Sequence, residues 1–215
     1  MSRLPHVVWD MGGIMWRYFT ELMVIQGAAA GWPMERLPLG PTGPAPDPYY
    51  VEMLDGDLDE PEYIELIHDK LAAEGIAFHP VRDLDWHDAM RPETWAAIEK
   101  IAAVGHRQAV LTNDATRWLG ERWWDTWDRA GLFDAVVDVT QIGVRKPAPE
   151  PYLTVAAALG VPAGECLFVD DLPANCRGAE AVGMTSHLFD ITAPQRSIAT
   201  LLETLGLAPA AGSAP

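Results

Sequence analysis

Basic residues are scarce in this sequence: 15 Lys and Arg stand against 31 Asp and Glu, a formal net charge of −16 at pH 7. Nonspecific capture of nucleic acid or of an anionic membrane requires a basic surface, so neither partner is expected. Long hydrophobic runs are missing too. No segment approaches transmembrane length, and the opening residues MSRLPHVVWD lack the apolar stretch of a signal peptide. Cysteine is nearly absent. Cys166 and Cys176 are the two, and both read as reduced, small core residues, which makes the expected location cytoplasmic. There is no internal repeat. With 49% hydrophobic and 21% charged residues the chain is an ordinary globular one, and 215 residues suffice for one sizeable domain, with or without a smaller insert. An anionic substrate would need a locally positive pocket here, supplied by a metal, a lysine or backbone N–H groups.

What the sequence does have is five short apolar runs: Val7–Asp10, Ala109–Thr112, Ala135–Val139, Cys166–Asp170 and Ser186–Phe189. Most are continuous rather than alternating, the pattern of strands covered on both faces. Helical patterns lie between them over Pro92–Val104, Pro151–Leu159 and Asn175–Val182, each followed by a glycine. Strand, helix, strand at this pitch predicts an α/β fold with a Rossmann-like parallel sheet and right-handed crossovers. The interval between the first two strands is far too long for one crossover. It holds the Pro/Gly-rich PLGPTGPAPDP (Pro38–Pro48), expected to be a loop, and the amphipathic PEYIELIHDKL (Pro61–Leu71). The expected organisation is a core of residues 1–17 and 88–206, a helical cap of residues 18–87, and a disordered tail over 207–215. Nine tryptophans are many for this length. Trp118, Trp123, Trp124 and Trp127 fall in one segment, with core or cap packing the expected role and substrate stacking the alternative.

In an open parallel sheet, ligands bind beyond the carboxyl ends of the strands. The first strand ends in Asp10, followed at once by Gly12 and Gly13; the second ends in Thr112-Asn113; the fourth ends in Asp170-Asp171. Between the last two lies GVRKPAPEPY, with Lys146 ahead of a proline. Carboxylates at Asp10 and Asp171 suit Mg²⁺, a hard ion that takes oxygen ligands. A carboxylate also serves as the nucleophile of an aspartyl-phosphate mechanism. Lys146 offsets charge, Thr112 and the Asn113 amide donate to phosphoryl oxygens, and the two glycines allow close backbone approach. Each piece alone has a bland explanation, as a strand end, a turn or a helix cap. The four in this order do not share one.

These pieces, VVWDMGGI, AVLTND, QIGVRKPAPEPY and CLFVDDLPANCRGAEAVGM, resemble the haloacid dehalogenase-like hydrolase superfamily from Val7 to about Phe189. Within it the chain looks most like the glucose-1-phosphate phosphatase-like proteins and the phosphatase domain of mammalian soluble epoxide hydrolase, and GDLDEPEYIELI resembles their cap segment. The resemblance implies a helical cap inserted after the first strand and Mg²⁺-dependent hydrolysis of a small phosphorylated substrate. It implies Asp10 as nucleophile, Thr112 and Lys146 as phosphoryl stabilisers, and Gly12, Gly13 and Asn113 at the phosphate. Asp10, the Gly12 carbonyl and Asp171 would hold the metal, with Asp170 close by. One departure stands out: most phosphatases of this family carry a second Asp two residues after the nucleophile, as general acid and base, and here that position is Gly12. His68 and His87, in the cap, are candidate substitutes. Three readings remain open: a phosphatase of a phosphometabolite such as a sugar phosphate, a weak or vestigial domain that binds metal, phosphate or a partner, and a dehalogenase-type hydrolase. Oligomeric state, monomer or homodimer, is not legible.

Overall fold

A computed structural model gives the structure of the protein and describes residues 5–85, 89–113, 115–121 and 123–207. His87 and residues 208–215 of the expected tail lie outside the described residues, as does the side chain of Trp118. Five parallel strands form one sheet: β1 (His6–Trp9), β2 (Gln108–Thr112), β3 (Ala135–Asp138), β4 (Cys166–Asp170) and β5 (Thr185–Leu188), in the order β3-β2-β1-β4-β5. All five expected runs are strands, with ends shifted by a residue or so. Asp10 stands one residue beyond β1, its amide bonded to the Val169 carbonyl at 2.9 Å. The chain leaves β1 for β2 on one side and later reaches β4 on the other. The topological switch point therefore lies at β1, between Asp10 and the end of β4.

Both faces of the sheet are buried, which explains the continuous apolar runs. Val7, Trp9, Val110, Leu167 and Val169 face one core cluster; Val8, Ala109, Leu111 and Phe168 face the other, against Tyr152, Val155 and Leu159 of α6 (Pro149–Leu159). The edge strands are less covered: the side chains of β5 are half-buried or exposed, and Ala135 and Val136 of β3 are half-buried. Helix α4 (Pro92–Ala103) precedes β2, a short α5 (Ala115–Leu119) follows it, and α7 (Pro173–Ala181) joins β4 to β5. A last helix, α8 (Pro194–Thr204), packs against α4.

The interval between β1 and α4 is helical, with α1 (Phe19–Ala30), α2 (Pro48–Asp55) and α3 (Glu60–Ala73). Asp59 caps α3 by accepting from the Glu62 amide at 2.8 Å, and Glu62 returns the bond to the Asp59 amide at 3.0 Å. The Pro/Gly-rich piece is not wholly loop: Gly40–Thr42 make a single 3-10 turn, and Pro48 opens α2, where a helix has no use for an amide. Buried Asp47 pins this piece, accepting from the Gly40 amide at 2.7 Å, the Tyr50 amide at 3.0 Å and the Tyr63 hydroxyl at 2.6 Å. Met23, Leu39, Tyr63 and Ile67 of this region join the same cluster as Val7 and Trp9, so insert and sheet share one core. The two chain crossings run side by side: Trp16 and Met90 form an antiparallel bridge, flanked by bonds from Arg17 N–H to the Ala89 carbonyl and from Arg91 N–H to the Met15 carbonyl.

One side chain holds this junction. Arg91 is fully buried; its Nε donates to the Gly13 carbonyl at 2.8 Å, and its guanidinium pairs with Glu21, whose carboxylate also accepts from the Tyr18 amide. Removing one partner of a buried pair strands the other charge, typically a loss of ~3–5 kcal/mol. Arg91→Met is expected to lose about that much in denaturant unfolding, and Arg91→Met with Glu21→Gln less than the two single losses together. A single substitution costing under about 1 kcal/mol would mean the pair does not hold the junction.

Candidate active site

The carboxyl ends of β1, β2 and β4 open into a cavity of about 630 Å³. Asp10, Gly12, Thr112, Asn113, Lys146 and Asp171 all line it. At its floor the Lys146 ammonium is almost wholly buried and donates three bonds, to Asp10 Oδ1 at 2.6 Å, Asp170 Oδ2 at 2.9 Å and the Leu111 carbonyl at 3.1 Å. Burial works against that charge, but the two carboxylates hold Lys146 well above its ordinary range. For Asp10, burial pushes the carboxyl up, Lys146 pulls it down and Asp170 pushes it up again, to about 7.

Asp170 is fully buried and spent within the protein. Besides Lys146 it accepts from the Leu172 amide at 2.8 Å and from Asn175 Nδ2 at 3.0 and 3.1 Å. Asn113 is likewise engaged: its Oδ1 accepts from the Lys146 amide at 3.0 Å, and its Nδ2 reaches the Lys146 carbonyl at 3.5 Å. It thus fixes the loop that carries the lysine. Asp171 is different. Its Oδ2 is buried without a hydrogen-bond partner among the described residues, and burial, then Asp170 and Asp10, push its carboxyl well above the usual range.

Asp10, Asp170 and Asp171 each offer an oxygen within 4.8 Å of the others. Two of the three carboxylates share the Lys146 ammonium, and one oxygen of the third, Asp171, has no hydrogen-bond donor among the described residues. That donor set fits a divalent cation with oxygen preference. The two glycines of the opening loop play unequal parts. Gly13 has φ +75°, and a Cβ there would lie 2.5 Å from Asp171 Oδ2, so no other residue fits. Gly12 is exposed, is not among the left-handed glycines, and a Cβ there would meet nothing within 4 Å.

The upper wall was not legible beforehand. His79 lines the cavity rather than His68, which stacks on it at 5.3 Å between ring centroids. His79 Nδ1 accepts from the Val81 and Arg82 amides, both at 3.2 Å, so the ring carries its proton on Nε2. Burial, then Arg82, lowers its pKa. Trp123, Trp124 and Trp127 pack with Trp95 and Phe133 against the core, as expected, and Trp16 extends this cluster to the cavity, its ring 5.1 Å from that of Trp127.

A family profile described as haloacid dehalogenase-like hydrolase matches residues 7–183. Among curated proteins, a phosphatase of Mycobacterium tuberculosis (strain CDC 1551 / Oshkosh) is 33% identical over 99 residues, which make up 46% of this chain and 46% of that protein. A chloroplast flavin mononucleotide hydrolase of Arabidopsis thaliana is 46% identical over 48 residues, 22% of this chain and 20% of that protein. The chain thus spans less than half the length of these curated relatives. Among solved structures, a HAD phosphatase from Thermococcus onnurineus superimposes with a TM-score of 0.59 at 17% identity, covering 95% of this chain and 99% of that one. A dehalogenase reaches 0.57, also at 17% identity, over 86% and 84%. These structures share the fold.

Proposed function

The chain belongs to the haloacid dehalogenase-like hydrolase family, and from that premise we propose that it is a Mg²⁺-dependent phosphatase of a small phosphorylated metabolite, such as a sugar phosphate, acting through an aspartyl-phosphate at Asp10. The observation that carries this reading is the convergence of Asp10, Lys146 and an Asp171 oxygen without a partner on one cavity floor. Asp10, the Gly12 carbonyl and Asp171 would hold Mg²⁺, which supplies positive charge at the developing phosphoryl oxygens. Asp170 serves mainly to hold Lys146. The Asp10 carboxylate attacks phosphorus, the bond to the ester oxygen breaks, and its electrons leave on that oxygen. Water then attacks the aspartyl-phosphate, releases inorganic phosphate and restores the carboxylate. Thr112 and backbone amides of the opening loop bind the phosphoryl oxygens, while Lys146 orients Asp10 and offsets its charge.

A weak or vestigial domain is the second reading, favoured by Gly12, which leaves no side chain to protonate the leaving group. A dehalogenase is less well supported, because that chemistry needs no metal and leaves Asp171 without a purpose. Assaying phosphorylated metabolites and 2-haloacids with Mg²⁺ and with EDTA separates the three.

Metal binding has its own test. A ligand that binds only the folded state stabilises it by ~2.7 kcal/mol at a hundred times Kd, which in a chain of this size is roughly 5–10 °C in Tm. Mg²⁺ is expected to raise Tm by that order, and Asp171→Ala to remove most of the shift. Equal shifts in both proteins would place the metal elsewhere.

A further inference from the structure

We propose that the upper wall of the cavity binds a second anionic group of the substrate, a carboxylate or another phosphate, through Arg17 and Arg82; the inference rests on the phosphatase reading and extends it to substrate class. The first observation is one of charge. The chain has 31 acidic and 15 basic residues, and some of its basic side chains have a carboxylate partner while others do not. Arg36, Arg91, Arg107 and Arg129 each have one, in Glu74, Glu21, Asp134 and Glu99. Arg17 and Arg82 make no ion pair among the described residues, yet both line the same cavity as Asp10.

The second observation is placement. Arg17 belongs to the junction between sheet and insert, where its amide bonds to the Ala89 carbonyl. Arg82 follows buried His79, whose ring nitrogen accepts its amide. Both backbones are therefore anchored, and neither guanidinium makes an ion pair among the described residues, Arg17 acting on Glu21 only at longer range. The floor is set for the phosphoryl group by Asp10, Asp171 and Lys146, and Lys146 has all three protons committed within the protein. It cannot also neutralise a distal charge. Glu60 and Glu65 of α3 line the cavity as well, so within it a distal anion is drawn to the two arginines and repelled by these two carboxylates. Guanidinium groups bind carboxylate and phosphate in paired hydrogen bonds that an amide isostere cannot match. A cavity of about 630 Å³ accommodates a metabolite carrying both groups.

The test compares 3-carboxyphenyl phosphate and the bisphosphate of resorcinol with 3-carbamoylphenyl phosphate, an uncharged isostere, in wild type, Arg17→Met, Arg82→Met and Arg82→Glu. Wild type is expected to favour at least one charged substrate by about tenfold in kcat/KM, mainly through KM. Which of the two is preferred distinguishes carboxylate from phosphate. Each methionine variant should bring the ratio toward one, and Arg82→Glu should invert it. Equal kcat/KM for charged and uncharged substrates in wild type, or a preference that survives both methionine substitutions combined, would overturn the proposal while leaving the phosphatase intact. If none is hydrolysed, the phosphatase reading fails and thermal shift with the same three compounds decides on the anion site. Stabilisation by a charged compound over the amide, lost in the methionine variants, supports it; no difference overturns it.

Discussion

Asp10→Asn is expected to lower Mg²⁺-dependent phosphate release by about a thousandfold or more, as removal of a covalent nucleophile does, while the protein stays folded. An amide nitrogen or oxygen is a far poorer nucleophile than a carboxylate and a poorer ligand for a hard cation. The fold should survive because the change is isosteric and its neighbours keep their bonds. Lys146 still donates to Asp170 and to the Leu111 carbonyl, and the new amide oxygen still accepts from it. One of three clustered carboxylates is also neutralised, which relieves repulsion with Asp170. Single-turnover phosphate release, with near-ultraviolet circular dichroism as the check on folding, measures both parts. More than a few per cent of wild-type activity would remove Asp10 from the nucleophile's role.

Gly12→Asp is expected to act in the opposite direction, on selected substrates. General acids contribute typically ~10²–10⁴-fold by protonating the departing oxygen. Without one at position 12, the leaving group departs largely as an anion. Wild-type kcat/KM should therefore depend steeply on leaving-group pKa, with aryl, acyl and anomeric sugar phosphates well ahead of simple alkyl phosphates. The structure removes the main obstacle to restoring the acid, since Gly12 is not in the left-handed region and an added Cβ has open space. Aspartate there should raise alkyl phosphate hydrolysis by about a hundredfold, near the lower end of that range, and aryl phosphate hydrolysis much less. His79 is a poor replacement: two backbone amides point at Nδ1, which keeps the ring neutral. A flat leaving-group dependence in wild type would show that some group on the cavity wall does donate the proton.

The floor of the site was legible because each of its residues ends or follows an apolar run. A buried strand must expose its polar end somewhere, and a parallel sheet puts all such ends on one edge. In the structure Asp10, Thr112, Lys146 and Asp171 line one cavity at that edge. Asn113 and Asp170 lie at the same strand ends, but their bonding to Lys146 depends on loop geometry that no spacing reveals. The upper wall was not legible. Nor was the junction: Arg91 and Glu21 lie 70 residues apart, and nothing in the sequence marks either as buried. His79 sits in an irregular segment without periodicity, so the sequence points to His68 and His87 instead. Helix α8 went unmarked, and α1 was expected only as part of a mostly helical cap, its apolar residues forming no narrow stripe.

The bridge between Trp16 and Met90 bears on how the chain finds its fold. Central strand β1 takes both its neighbours from far along the sequence, pairing Val7 with Gln108 and His6 with Cys166. Such distant pairings make a search slow, because the entropy of closing each loop is lost before the contact returns anything. Once residues 16 and 90 meet, the whole excursion between them drops out of the path from β1 to β2. What remains is a few residues on either side and one helix, about the span of a single βαβ unit. A junction formed before the sheet closes would bring β2 to β1 as though it were local, while β4 still has to be found from far along the chain.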